Sequence, residues 1–445
     1  MTTGNAGTSA RSTVVVGGGM AGLLAAAAAA AHGDRVTVLE HDELPAGPQA
    51  RPGTPQAVHT HGLLASGRLA IEELLPGLTG DLVAAGALAG GDAGRAGRWW
   101  IGGGLIADCD LGLSGVVISR LALEHAVRER VGKVLPTVEI RSGVDVVGLL
   151  GDAERVTGVV ARDRGAGSAA RQIEAELVID ASGRSGRAMK WLPAIGAAAP
   201  REERVQVGVR YATVHVEATA ADLDGRVVVV CAATPEVPRG GVAIRQEDGT
   251  WILTLFSYGD TSVPADTDGL RQFAATLVSP DLAALLGDRD PLHAPLPYRF
   301  PDCRRRRIEE IVLPSGYAPI GDAVASFDPT FGQGMSVAAL QALALRDALA
   351  GGPEGMRRAY VRRATGIVDC AWTIVVGAVV QLPGVSGPAP AGHAAISRYV
   401  RRLQRVARQD PHVAGALMRA TYLVDPPRAL MRPAVAIRVL RPGAA

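Results

Sequence analysis

The stretch Thr13-Val14-Val15-Val16-Gly17-Gly18-Gly19-Met20-Ala21-Gly22 constrains this chain more than any other, because a β-branched run, a fixed pattern of glycines and a helix-forming run follow one another without a spacer. Gly17 to Gly22 satisfies G-x-G-x-x-G. In such a turn Gly17 permits the sharp change of direction, Gly19 lets the backbone approach a pyrophosphate, and Gly22 allows close packing of helix on strand. The first N–H groups of the helix that follows face the anion. Leu23 to His32 reads as the helix and Arg35 to Leu39 as a second buried strand, which completes a βαβ unit. Glu40, followed by His41, closes that strand 18 residues beyond Gly22. A carboxylate there can accept hydrogen bonds from an adenosine ribose and repels a 2′-phosphate. FAD or NAD fits such a site better than NADP.

Further along, residues 1–12 are small and polar and are expected to lack structure. Arg51 to Leu64 reads as a loop, Gly67 to Leu75 and Leu121 to Val131 as helices, and Glu176 to Ile179 as a strand running into "DASGRSGR". Val205 to Tyr258 alternates in a way that predicts a mainly antiparallel sheet. Residues 318–349, "APIGDAVASFDPTFGQGMSVAALQALALRDAL", return to strand, turn and helix, and a helical region is expected from Met356 to Leu440. In that stretch the Asp322 carboxylate can accept hydrogen bonds from ribityl hydroxyls, and the backbone of Gly332 to Met335 can face a flavin's electron-rich edge. NAD has no ribityl chain, so the pair of motifs selects FAD.

Composition removes several alternatives. At 445 residues the chain exceeds what one core supports, so two packed domains and a C-terminal appendage are expected. With 46 basic against 44 acidic residues, interspersed, nucleic acid is not an expected partner. Cys109, Cys231, Cys303 and Cys370 form no paired spacing, which argues against a metal site or a redox disulfide and suits a cytoplasmic setting. Leu23 to Ala31 directly follows a strand and is read as a buried helix rather than a signal peptide. Ile367 to Val380 carries Asp369 and falls short of the roughly 20 residues of a bilayer span.

Taken in order, the glycine motif, Glu40, Arg120 in "SRLALE", "DASGRSGR", and Gly321-Asp322 with Pro329 and "GQGM" resemble the glutathione-reductase-type flavoprotein monooxygenases, the superfamily of para-hydroxybenzoate hydroxylase and squalene epoxidase. The resemblance covers most of residues 13–350. It implies an α/β (α+β) fold: a Rossmann-like FAD-binding domain from residues 13–75, 110–190 and 310–355, an inserted, mainly antiparallel substrate-binding domain from 76–109 and 191–309, and a helical C-terminal region, 356–445. It also implies non-covalent FAD held by Gly17, Gly19, Met20, Ala21, Gly22, Glu40, His41 and Arg51, with Arg120 on the pyrophosphate, Asp180 and Gly183 in the middle motif, Gly321 and Asp322 on the ribityl chain, and Pro329, Gly332, Gly334 and Met335 at the isoalloxazine.

The departures refine the expectation. Ser182-Gly183 stands where the hydroxylase branch carries Asp-Gly, and no second G-x-G-x-x-G follows for a nicotinamide. With "RPGTPQAVHTHGLL" at 51–64, this looks closer to the bacterial polyether epoxidases, whose electrons come from NAD(P)H through a separate flavin or ferredoxin reductase. The implied reaction moves one oxygen atom of dioxygen, by way of a flavin C4a-hydroperoxide, to an alkene of a lipophilic polyketide- or terpenoid-like molecule. An aromatic hydroxylase, a flavin dehydrogenase or double-bond reductase, and a non-enzymatic flavin binder remain as alternatives. No catalytic side chain and no metal ligand is assigned. His59 and His61 are read as loop residues near the flavin. Trp99-Trp100-Ile101 lacks the W-x-W-x-I-P pattern of flavin halogenases, and Arg304 to Arg307 is expected to precede a helix and face solvent.

Overall fold

The structure is a computed structural model that describes residues 10–165, 167–389 and 392–441, so most of the expected unstructured N-terminus lies outside the described residues. Arg11 is already engaged, donating to Asp34 at 2.9 and 3.0 Å. The first strand, Ser12–Val16, leads through the glycine turn into the helix Met20–Ala30, which is buried along nearly all its length. Its alanines and leucines leave no polar face, so it is an interior helix, packed between a parallel sheet and the helix Gly334–Leu349. It starts at Met20, three residues before the expected Leu23. Only Gly17 turns; Gly22 belongs to the helix, and a Cβ there would stand 1.8 Å from the carbonyl oxygen of Gly17.

The parallel sheet has five strands in the order Tyr317–Pro319, Leu177–Asp180, Ser12–Val16, Arg35–Leu39 and Val138–Arg141. Its central strands are covered on both faces, hence their unbroken apolar runs. Between Val138–Arg141 and Leu177–Asp180 the chain forms an antiparallel meander of Val144–Gly151, Val156–Asp163 and Arg171–Glu174. Sequence patterning did not predict it, since glycines and charged residues break the alternation.

A second sheet has seven strands in the order Ala325–Ser326, Leu296–Arg306, Glu202–Val216, Trp251–Ser257, Arg239–Arg245, Val228–Cys231 and Gly97–Trp100, antiparallel except for the last pair. This is the mainly antiparallel sheet that was expected. Trp251–Ser257 is buried at every position. One face packs on the helices Thr267–Ala275 and Pro280–Leu286, and the other borders a cavity. The chain then runs through the helices Gly352–Val379, His393–Val406, Pro411–Thr421 and Pro433–Leu440. Among the described residues no helix is long and apolar enough to cross a membrane.

The arginine run departs from expectation. Arg304 to Arg306 end a strand and Arg307 leads into the short 3-10 helix Ile308–Glu310, but the run does not face solvent: Arg305 and Arg306 are 3% and 1% exposed. Arg305 pairs with Glu309 at 2.8 Å and Asp369 at 2.6 Å, and Arg306 with Glu202 at 3.0 Å. Charge in a linear run predicts a solvated face only when no partner arrives from elsewhere. Here Glu309 comes from the turn that follows, Glu202 from a neighbouring strand and Asp369 from the long C-terminal helix.

Candidate functional site

The glycine turn is braced by the residues that follow the second strand. The N–H of Gly17 donates to the Leu39 carbonyl at 2.8 Å, and that of Gly18 to Glu40 Oε2 at 2.6 Å. Glu40 Oε1 accepts from the Asp42 N–H at 2.9 Å, so this carboxylate is bound inward as well as placed beside the turn. Gly19 is extended, with φ −78° and ψ −175°, a conformation open to any residue. A Cβ there would meet nothing nearer than Arg51 Nη2 at 3.6 Å. Neither backbone nor packing demands a glycine, and no side chain caps the helix that begins there. The result is a cradle lined by N–H groups that only a Cβ would fill, which suits a pyrophosphate.

Arg51, buried, extends toward that cradle. Its guanidinium meets Asp42 Oδ2 at 2.9 Å, Glu40 Oε1 at 3.2 Å and Glu124 Oε1 at 3.0 Å. Burial alone would lower its pKa, but Glu40, Glu124 and Asp42 together hold it above the ordinary value. Glu124 also pairs with Arg120, one turn earlier on the helix Arg120–Val134, whose N-terminus is capped by Ser119 Oγ accepting from Ala122 N–H at 3.1 Å. Two arginines therefore share one acidic anchor, Glu124. His41 stands apart: it is exposed and pairs with Asp145.

The second motif lies against the first across 300 residues of sequence. Gly321 has φ +63°, and a Cβ there would stand 2.7 Å from that of Ala21. The Asp322 carboxylate makes no hydrogen bond among the described residues, and burial raises its pKa against the opposing pull of Arg184, Arg120 and Arg306. A half-buried carboxylate without a partner, next to the glycine turn, suits a polyhydroxyl chain. Arg306 holds this segment: it donates to the carbonyls of Asp322 (3.0 Å), Ala323 (3.1 Å) and Arg184 (3.1 Å). Gly186, φ +64°, leaves room for its guanidinium, 2.0 Å from where a Cβ would sit. Asp180 is buried beneath, accepting from Tyr317 OH at 2.6 Å and Ser182 N–H at 3.0 Å, and Gly183 turns with φ +75°.

Pro329–Phe331, a short 3-10 turn closed by Gly332 in the left-handed region, precedes the helix Gly334–Leu349. With His59 to Leu64 it forms one end of a cavity of about 1100 Å³. The cavity continues along the sheet past Thr254, Phe256 and Val242, and the C-terminal helices close its far side. Met335 is half-buried in the helix core. Burial lowers the pKa of His59 to about 4, and burial with Arg120 does the same to His61. Tyr258 OH donates to Asp328 Oδ2 at 2.9 Å and lies 2.9 Å from Thr330 Oγ1. Asp328 is fully buried, and burial raises the pKa of both Asp328 and Tyr258.

The sequence profile of the "FAD dependent oxidoreductase" family matches residues 13–189. Protein Rv3254 of Mycobacterium tuberculosis (strain ATCC 25618 / H37Rv) is 36% identical over 327 residues, 71% of this chain and 68% of that protein. The chain belongs to the FAD-dependent oxidoreductases. Its fold is shared with the flavin-dependent brominase Bmp2 (16% identical, 93% of this chain and 94% of that one, TM-score 0.67), a flavoprotein/dehydrogenase from Cytophaga hutchinsonii (16%, 96% and 95%, 0.68) and p-nitrophenol 4-monooxygenase PnpA from Pseudomonas putida DLL-E4 (20%, 93% and 97%, 0.63). The expected α/β fold is thus present. One fold serving bromination, dehydrogenation and hydroxylation does not choose among them.

In this FAD-dependent oxidoreductase, sequence reasoning passed over Asp42 and Glu124, which anchor Arg51, and Arg306, which holds the Asp322 turn. It also passed over Tyr258 and Asp328, and over the C-terminal helices as a cavity wall. Asp42 and Glu124 stood close to recognised motifs; Arg306 was hidden by its neighbours' charge. Trp99 and Trp100 are held structurally, donating to the Gly94 carbonyl at 3.1 Å and Asp281 Oδ2 at 2.6 Å.

Proposed function

We propose that this protein is an FAD-dependent monooxygenase that inserts one oxygen atom of dioxygen into a double bond of a lipophilic natural-product intermediate, giving an epoxide. The observation that carries the reading is the large cavity beginning at the Pro329–Gly332 turn, whose sheet wall is formed by Val228, Val230, Val242, Ile244 and Phe256. In this reading residues 13–75, 110–190 and 310–355 bind FAD non-covalently and residues 76–109 and 191–309 hold the substrate, with the C-terminal helices as the far wall. Gly17 to Gly22 and Arg51 and Arg120 would hold the pyrophosphate, Glu40 the adenosine ribose, Asp322 the ribityl hydroxyls, and the Gly332 to Met335 turn the ring. FAD supplies the oxygen-activating chemistry. The chain's own task is to bind the alkene beside the ring and keep water out; one oxygen enters the product and the other leaves as water, consuming two electrons and two protons. The electrons come from NAD(P)H through a separate flavin or ferredoxin reductase, a reading supported by Ser182-Gly183 and by the single dinucleotide motif.

Aromatic hydroxylation is the second reading, favoured by the buried Tyr258–Asp328–Thr330 group, because Tyr258 and Thr330 line the cavity and could exchange a proton with a phenol. The test supplies labelled dioxygen, a reductase system and paired alkene and phenol substrates. Label in epoxides supports the first reading. Label only in ring hydroxyls selects the second, and an unlabelled product with a saturated double bond means a reductase.

A further inference from the structure

The cavity is apolar at its sheet wall and basic at its outer wall. Arg401, Arg405, Arg408 and Arg428 line it, and Glu236 is the one carboxylate among its lining residues. Arg401, Arg405 and Arg408 are spaced four and then three apart, along one face of the helix His393–Val406 and its continuation. All four are exposed. The arginines elsewhere in the site have carboxylate partners: Arg51, Arg120, Arg184 and Arg306 each lie within 4 Å of one. Among the described residues none of the four cavity arginines does. Arg401 donates to Gln381 Oε1 and Arg408 to the Gly102 carbonyl, both neutral acceptors, while the side chains of Arg405 and Arg428 make no hydrogen bond among the described residues.

The placement of these side chains is built into the fold. The loop from Ile101 to Leu105 presses on them, and added Cβ atoms at Gly102 and Gly104 would stand 2.7 Å from Gln404 and 2.6 Å from Arg408. The whole segment shares the imbalance: residues 392–441 hold ten arginines against two aspartates and no lysine or glutamate, a net of +8 where the full chain carries +2. An apolar cavity with unpaired guanidinium groups along one wall is complementary to a molecule with a lipophilic body and an anionic end. A purely hydrocarbon ligand would leave those donors without a partner as it displaced their water.

We infer that the substrate is a lipophilic anion, its double bond toward Pro329–Gly332 and its carboxylate or phosphate head on Arg401, Arg405 and Arg408. The inference rests on the oxygen-insertion reading and specifies its substrate class. A membrane surface is the rival ligand for so basic a segment, but the four arginines line the same cavity as Pro329 to Gly332.

The test uses FAD-loaded protein and three probes below their micellar concentrations: laurate, dodecyl phosphate and dodecanol. Binding is read from the perturbation of the flavin absorbance and from quenching of tryptophan fluorescence, Trp99 being a lining residue. At least one anion is expected to bind about tenfold or more tightly than dodecanol, as a charge-assisted contact requires, and comparison of the two tells carboxylate from phosphate. The Arg401→Gln/Arg405→Gln double variant should lower the anion's affinity to that of dodecanol and leave dodecanol unchanged. Arg398→Gln, exposed on the same helix outside the cavity, should change neither. Equal binding of anions and dodecanol, or a preference that survives the double variant, overturns the inference. Failure of both anions to bind also overturns it, and binding of phosphatidylglycerol vesicles in their place would assign the basic face to a membrane. Labelled-oxygen incorporation is followed in parallel samples that contain the reductase system and monounsaturated analogues of the three probes, which supply the double bond that the saturated chains lack. Incorporation without anion preference overturns this inference alone; anion preference without incorporation overturns the oxygen-insertion reading alone.

Discussion

Two glycines three residues apart should fail in opposite ways. At Gly19 the backbone is extended and a Cβ has 3.6 Å of clearance from its nearest neighbour, so Gly19→Val should fold. Its cost to the FAD-free protein is that of a poorer helix cap, under about 1 kcal/mol. The same side chain occupies the cradle where the pyrophosphate would meet the first N–H groups. Losing two hydrogen bonds to a charged group, each about 1.5–3 kcal/mol, amounts to roughly two to four decades in FAD affinity. At Gly22 the new Cβ would stand 1.8 Å from the Gly17 oxygen and 2.9 Å from its carbon, both backbone atoms in the tightest part of the fold. Strand and helix must separate, and overpacking of this kind costs about 1–3 kcal/mol or more, above the ~1 kcal/mol gained from better helix propensity. Gly22→Ala should therefore lower the melting temperature of FAD-free protein by several degrees, at roughly 2–4 °C per kcal/mol for a domain of 150–250 residues. Thermal melts of FAD-free protein and flavin-fluorescence titrations separate the two. Wild-type FAD affinity in Gly19→Val, or a wild-type melt in Gly22→Ala, would refute the reasoning.

Asp322→Ala should weaken FAD retention by about one to two decades, since it removes an acceptor that has no protein partner to lose; equilibrium dialysis with wild-type affinity would remove Asp322 from the site. Arg306→Met should destabilise the protein by about 3–5 kcal/mol, because Glu202 and three carbonyls lose their buried donor; a denaturant midpoint within error of wild type would refute this. His59 and His61 are held neutral down to about pH 4, whereas unfolded histidine gains a proton near 6.5. The unfolded state thus binds more protons between those values, so stability of the FAD-free protein should fall as pH drops from 6.5 toward 4, by at most about 1.4 kcal/mol per pH unit per histidine. Denaturant midpoints across that range should flatten in His59→Gln, and an unchanged slope would show that burial of His59 is not the cause. In stopped-flow experiments NADPH alone should reduce the flavin slowly, with substrate present or absent; reduction at the rate of turnover without a reductase would overturn the two-component reading.

The βαβ unit was legible because everything it needs is local: a β-branched strand, glycines at fixed offsets, and a helix with no polar face, all within Ser12 to Leu39. Gly321-Asp322 was legible for the same reason, a strand, a turn and a helix in immediate succession. That these two stretches meet, Gly321 against Ala21, is a property of the parallel sheet that sets Tyr317–Pro319 two strands from Ser12–Val16. The short-range pattern says nothing of which strands become neighbours. Charge was the least legible feature. Arg304 to Arg307 read as solvated because Glu202, Glu203 and Asp369 enter only once strand and helix have packed. Conversely the sequence alone does not single out Arg401, Arg405 and Arg408, and only the placement of the C-terminal helices makes them cavity-lining residues. Local covalent geometry and hydrophobic periodicity therefore determined the nucleotide-binding elements. The electrostatic partners, and with them the character of the cavity, were decided by long-range packing, because a charge's free energy depends on what surrounds it in space rather than on its neighbours in the chain.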